Sequence, residues 1–141
     1  MTKVLPHVLR NINEFNIPPG VTHGYEILYF GVNLKLMFDY RLSFDVELKS
    51  SGGSHKIEVL VISRKDVSAW KRNVSTQEMK LHYINNGQKI NDIFKPPVSD
   101  AYAFILSNRS SYLNNEPQPV DVTLTHTWQQ EIKESQLKNR L

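Results

Sequence analysis

The chain has 141 residues, no cysteine, 40% apolar and 22% charged side chains and a net charge of +3, a size suited to one domain burying roughly 68–70% of its unfolded surface. Without cysteine, disulfides, thiol nucleophiles and cysteine-ligated zinc are excluded. The apolar content excludes a chain disordered throughout, and its 17 Lys and Arg are scattered, whereas nucleic-acid binders concentrate cations on one face or helix.

In chain order, the opening Met1-Thr2-Lys3-Val4-Leu5-Pro6-His7 lacks the apolar segment of a signal peptide. No run approaches ~18 apolar residues, so no membrane-spanning helix is expected. A cytoplasmic location is the working expectation. A first strand is expected around Ile12 to Ile17, where Ile17-Pro18-Pro19-Gly20-Val21 breaks the chain. Thr22 to Phe30 reads as a strand, and Gly31-Val32-Asn33 as a turn. Leu42-Ser43-Phe44-Asp45-Val46-Glu47-Leu48 alternates without an error, which marks a strand with one buried face. Ser50 to Ser54 is a flexible connection to the β-branched run Lys56 to Ile62, and the two strands read as an antiparallel hairpin.

Arg64 to Asn73 loses the alternation and reads as a turn or short helix around Val67 to Trp70. Met79 to Ile84 resumes a strand. Asn85-Asn86-Gly87 signals a turn, after which Lys89 to Phe94 is expected to pair back. Lys95-Pro96-Pro97 ends that pair. Ala101 to Ser107 is apolar on both parities, as in a strand covered on both sides, whereas Val120 to Trp128 alternates strictly. The core is expected to hold Phe44, Val46, Val59, Val61, Phe104, Leu106, Val122 and Leu124. About seven or eight short strands with turn signals between them predict an all-β fold, an antiparallel β-sandwich of jelly-roll or GOLD-like type. Residues 1–128 form the expected single domain. Residues 129–141, with Ile132, Leu137 and Leu141 among Glu, Lys and Gln, form a tail read as a short helix or a disordered end.

Reactive constellations are scarce. His7, His23, His55, His82 and His126 lack the close helical spacing of a zinc site. His126, on the apolar parity of the last strand, reads as a histidine at the core edge, with a meeting of His82 and His126 in space as the alternative. There is no Gly-x-Ser-x-Gly elbow and no phosphate-cradling glycine loop. Asp39, Asp45, Glu47 and Glu58 read as solvated charges on polar strand faces. No metal, no cofactor and no catalytic residue is therefore expected.

Two segments carry the residue types of an interface: Trp70-Lys71-Arg72, and the loop Asn108 to Gln118 with Arg109 and Tyr112. For Trp70 the competing reading is a plug at one end of the sandwich. Asn73-Val74-Ser75 and Asn108-Arg109-Ser110 match the N-glycosylation pattern, which matters only in an exported chain.

The entry through Ile17-Pro18-Pro19-Gly20-Val21, the Leu42 to Ile62 pair with Trp70 after it, and Tyr102-Ala103-Phe104-Ile105-Leu106-Ser107-Asn108-Arg109-Ser110-Ser111 followed by Val120 to Leu124 resemble the GOLD domain. That β-sandwich occurs in p24-type cargo-receptor proteins. The likeness spans roughly residues 12 to 128, without the paired cysteines of p24 lumenal domains and without a following coiled coil or membrane anchor. It implies a non-enzymatic interaction module that binds proteins or membrane-associated partners. The alternative is a carbohydrate-binding sandwich with Trp70, Tyr83 or Tyr112 as sugar platforms. A third reading is a small hydrolase with dispersed strand residues.

Overall fold

A computed structural model describes residues 7–20, 22–34, 38–49, 55–72, 79–109 and 118–132. The strands are β1 (His7–Ile17), β2 (Tyr25–Val32), β3 (Phe38–Leu48), β4 (Ile57–Ser63), β5 (Leu81–Gly87), β6 (Lys89–Phe94), β7 (Asp100–Ser107) and β8 (Val120–Ile132). Between β4 and β5 a 3₁₀ turn, Arg64–Asp66, leads into a short helix, α1 (Val67–Lys71). The strands form two antiparallel four-stranded sheets, ordered β1-β8-β3-β6 and β2-β7-β4-β5. The expected all-β sandwich is the architecture the chain adopts.

Period-two patterning explains the core. Leu42, Phe44 and Val46 of β3 and Val120, Val122 and Leu124 of β8 meet Val59, Val61, Phe104 and Leu106 from the opposite sheet in one apolar cluster. All eight expected core residues are buried. β7 is covered twice, which accounts for its apolar residues on both parities. Tyr102, Phe104 and Leu106 face the other sheet. Ala103 and Ile105 join Leu60, Ile62, Val67 and Trp70 in a second cluster, where α1 lies across the outer face of the sheet.

The strand pairing differs from the sequence expectation in two places. β3 and β4 are not a hairpin: β3 pairs with β8 and β6, whereas β4 pairs with β5 and β7. Likewise β6 does not pair back on β5 but crosses to β3. Asn85, Asn86 and Gly87 belong to β5, so the reversal comes later than the Asn-Gly signal suggested. Among the described strands only β4 and β5 are both sequence neighbours and hydrogen-bonded neighbours. A turn signal shows that the chain reverses; which sheet receives the next strand is decided by burial across the sandwich. The last strand also outruns its expected end, because Gln129 to Ile132 continue β8 and pair with Phe38 to Arg41 of β3. The remainder of the predicted tail lies outside the described residues.

Candidate functional site

The chain ends β4 at Ser63 and turns through Arg64–Asp66 into α1, where Val67 and Trp70, three residues apart, share one helical face. Both are buried against the outer face of the β2-β7-β4-β5 sheet. A helix of five residues leaves carbonyls without intrahelical partners at its C-terminus. Arg109, arriving from the end of β7, supplies donors: Nη1 to the Trp70 carbonyl at 2.8 Å and Nη2 to the Lys71 carbonyl at 3.2 Å. Its guanidinium carbon lies 3.6 Å from the centre of the Trp70 ring and 5.3 Å from that of Tyr25. Tyr25 and Trp70 meet edge to face at 5.1 Å. Arg109 is 1% exposed, so this cation is an internal fastener. Glu58, expected on a solvated face, is instead buried near it. Burial raises the Glu58 carboxyl above its usual value, and the Arg109 charge opposes that rise.

One residue earlier, Asn108 ties the same end of the sandwich together. Its Nδ2 donates to the carbonyls of Ile17 and Gln118 at 3.1 and 2.9 Å. Its backbone N–H donates to the Gly24 carbonyl at 2.6 Å. Its Oδ1 lies 3.1 Å from His55 Nε2, and His55 Nδ1 lies 3.1 Å from Gln118 Nε2. The whole set is satisfied by one assignment, His55 donating through Nε2 to Asn108 and accepting at Nδ1 from Gln118. Asn108 is fully buried, so in the folded chain it is not an accessible glycosylation acceptor. Gly24 completes the knot: its N–H bonds to the Gly20 carbonyl at 2.8 Å. A Cβ at Gly24 would collide with that carbonyl oxygen. Gly20 itself holds φ +108, the left-handed region that ends the Pro18-Pro19 break.

Of the five residues proposed from sequence, Trp70 and Arg109 are thus brought together and buried, in keeping with the plug reading of Trp70. Lys71 and Arg72 are exposed beside them, as are Arg64 and Lys65 at the start of the same segment. Tyr112 and Asn73 lie outside the described residues. The suggested sugar platforms Trp70 and Tyr83 are turned inward. Tyr83 packs edge to face on Phe44 and donates its hydroxyl to Asp92 at 2.8 Å, and burial chiefly pushes that hydroxyl up to about 12.

At the opposite end lies a cluster the sequence did not signal. The pairing of β4 with β5 slips between Val61 and Ile62, and the slip brings His82 to Tyr102 at 5.1 Å between ring centres. Ser63 Oγ donates to Asp100 Oδ2 at 2.7 Å and stands 3.4 Å from His82 Nε2. The order is carboxylate, hydroxyl, imidazole. A nucleophilic serine needs the imidazole between the other two, taking the hydroxyl proton; here that proton points to the carboxylate. His126 sits elsewhere, on β8, with Nε2 3.5 Å from Asn11 Nδ2. Burial lowers the pKa of both histidines, with the Lys80 charge adding to the effect at His82 and Asp100 and Asp66 opposing it.

Among the described residues no three His, Asp or Glu gather to hold a metal ion, and no helix is long and apolar enough to cross a membrane. Neither a model of a known protein family nor a characterised protein matches the chain.

Proposed function

We propose that this chain is a non-catalytic, GOLD-like interaction module that docks an acidic protein surface on the segment from Arg64 to Arg72. The observation that carries this reading is the fastening of α1 by Arg109 and Trp70. It holds the helix against the sheet while Arg64, Lys65, Lys71 and Arg72 stay exposed. A charged surface ordered before binding loses less conformational freedom when a partner arrives. Opposite charges across the interface would speed encounter and make affinity fall as salt rises. The hydrogen-bond order at Ser63 supports a non-enzymatic reading. The strand order suits a double Greek-key jelly roll, an architecture that also serves lectins. The inward Trp70 and Tyr83 favour a protein partner over a sugar.

The test compares the wild-type chain with a Lys71→Ala, Arg72→Ala variant for capture from the native source, with the retained proteins identified and eluted by rising salt. An acidic protein held by the wild type, released by salt and lost by the folded variant supports the proposal. Undiminished capture by the variant overturns it, as does binding to anionic lipid vesicles in place of any protein.

A further inference from the structure

Where β1 and β2, the outermost strands of their sheets, approach one another, a cavity of about 270 Å³ opens between the layers. Leu28, Phe30, Phe104, Leu124 and Trp128 wall it, with Asn11 and His126 contributing polar groups. Its origin is legible in β1. On the inward parity Ile17 and Phe15 give way to Asn13 and Asn11, which lie opposite Leu124 and His126. Short amides stand where large apolar side chains would fill the layer. The cavity is partly open to solvent along Asn11, Tyr29 and Gly31, and its apolar walls give the water inside few partners.

The lining also specifies chemistry. None of the described lining residues is Lys, Arg, Asp or Glu, so an ionised guest would enter without a counter-charge and lose its hydration. His126 Nε2 lies only at long range, 3.5 Å, from the Asn11 amide, whereas Nδ1 is buried out of a guest's reach. In a neutral imidazole Nε2 is a donor or an acceptor according to the tautomer, and a hydroxyl can meet either. A cavity of about 150 Å³ accepts benzene, with six heavy atoms, so this one accommodates roughly ten or eleven.

We propose that the cavity binds an uncharged, largely apolar molecule of about that size bearing one hydroxyl. The apolar body would lie among Phe30, Phe104 and Trp128 and the hydroxyl at His126 and Asn11. This site is separate from the cationic segment and does not depend on it.

The probe is 2-naphthol, titrated into the full chain by calorimetry and followed by NMR, with 2-naphthoate as the charged counterpart. The expected result is saturable binding of 2-naphthol with Kd on the order of 100 µM or tighter. Intermolecular NOEs should reach Phe30 and Trp128, and 2-naphthoate should give no comparable binding. His126→Leu should weaken 2-naphthol about tenfold, and Leu28→Trp, which fills the cavity, should abolish binding. No heat and no shift changes at 1 mM probe (roughly ten times the expected Kd) would overturn the proposal. So would equal binding of 2-naphthoate, unaltered affinity in either folded variant, or NOEs to a different surface. Should Leu28→Trp fail to fold, the NOEs in the wild-type chain decide the location.

Discussion

Arg109 both stacks on the indole of Trp70, at 3.6 Å from the ring centre, and donates to the Trp70 main-chain carbonyl at 2.8 Å. One side chain thus closes the end of α1 and holds down the residue that anchors α1 to the sheet. A planar guanidinium can do both at once; an ammonium cannot.

Replacing Arg109 by Ala should therefore destabilise the chain by about 3 kcal/mol or more, because two helix-terminal carbonyls and the nearby Glu58 lose their cationic neighbour. Arg109→Lys should regain only part of that. A double-mutant cycle with Trp70→Ala, measured by chemical denaturation, should give a coupling of about 1–2 kcal/mol. Additive losses would show that the stacking contributes nothing.

The Asn108 knot gives a second prediction. Asn108→Asp removes both donors to the Ile17 and Gln118 carbonyls and should cost about 2–3 kcal/mol at neutral pH. Gly24→Ala, whose Cβ would also stand 3.0 Å from the Asn108 carbonyl oxygen, should cost about 2 kcal/mol. Melting midpoints that barely move for either variant would contradict the tight closure of this end.

In the inter-sheet core, Phe44 and Phe104 touch edge to face at 5.0 Å from opposite sheets. Phe44→Ala or Phe104→Ala should cost roughly 3–5 kcal/mol. Near-wild-type melting of both variants would contradict the facing of β3 and β7.

Two groups should imprint opposite pH dependences on stability. Burial lifts the Glu58 carboxyl above its usual 4.5 against the pull of Arg109. The unfolded chain loses this proton first as pH rises, so the contribution favours folding below pH 4.5 and is lost as pH climbs through the folded value. Glu58→Gln should consequently raise the melting midpoint at neutral pH and leave it nearly unchanged below pH 4.5. Equal effects at both pH values would remove burial of the charge as the cause. Burial lowers the His126 value below 6.5, so its contribution is present above 6.5 and lost as pH falls towards the folded value. His126→Leu should remove that part of the acid destabilisation. An identical acid slope in the variant would exclude His126 as its source.

The run of alternating strands, the buried residues Phe44, Val46, Val122 and Leu124 and the double coverage of β7 were determined by sequence alone. Each follows from the period at which apolar side chains recur along a few consecutive residues. Only the tertiary structure decided what those elements meet. Asn108 and Arg109 look like loop residues in the chain, since turn formers and buried polar fasteners draw on the same side chains. Their partners Ile17, His55, Trp70 and Gln118 are remote in sequence, so no local spacing could reveal the bonds. The sheet assignment of β4 and β6 was likewise invisible, because β4 is buried along its whole length and the buried positions of β6 would fit either layer. The bulge that aims His82 at Tyr102 and the cavity beside His126 arise in the same way. Both depend on register and volume between strands, and those are fixed only when the two sheets close on one another.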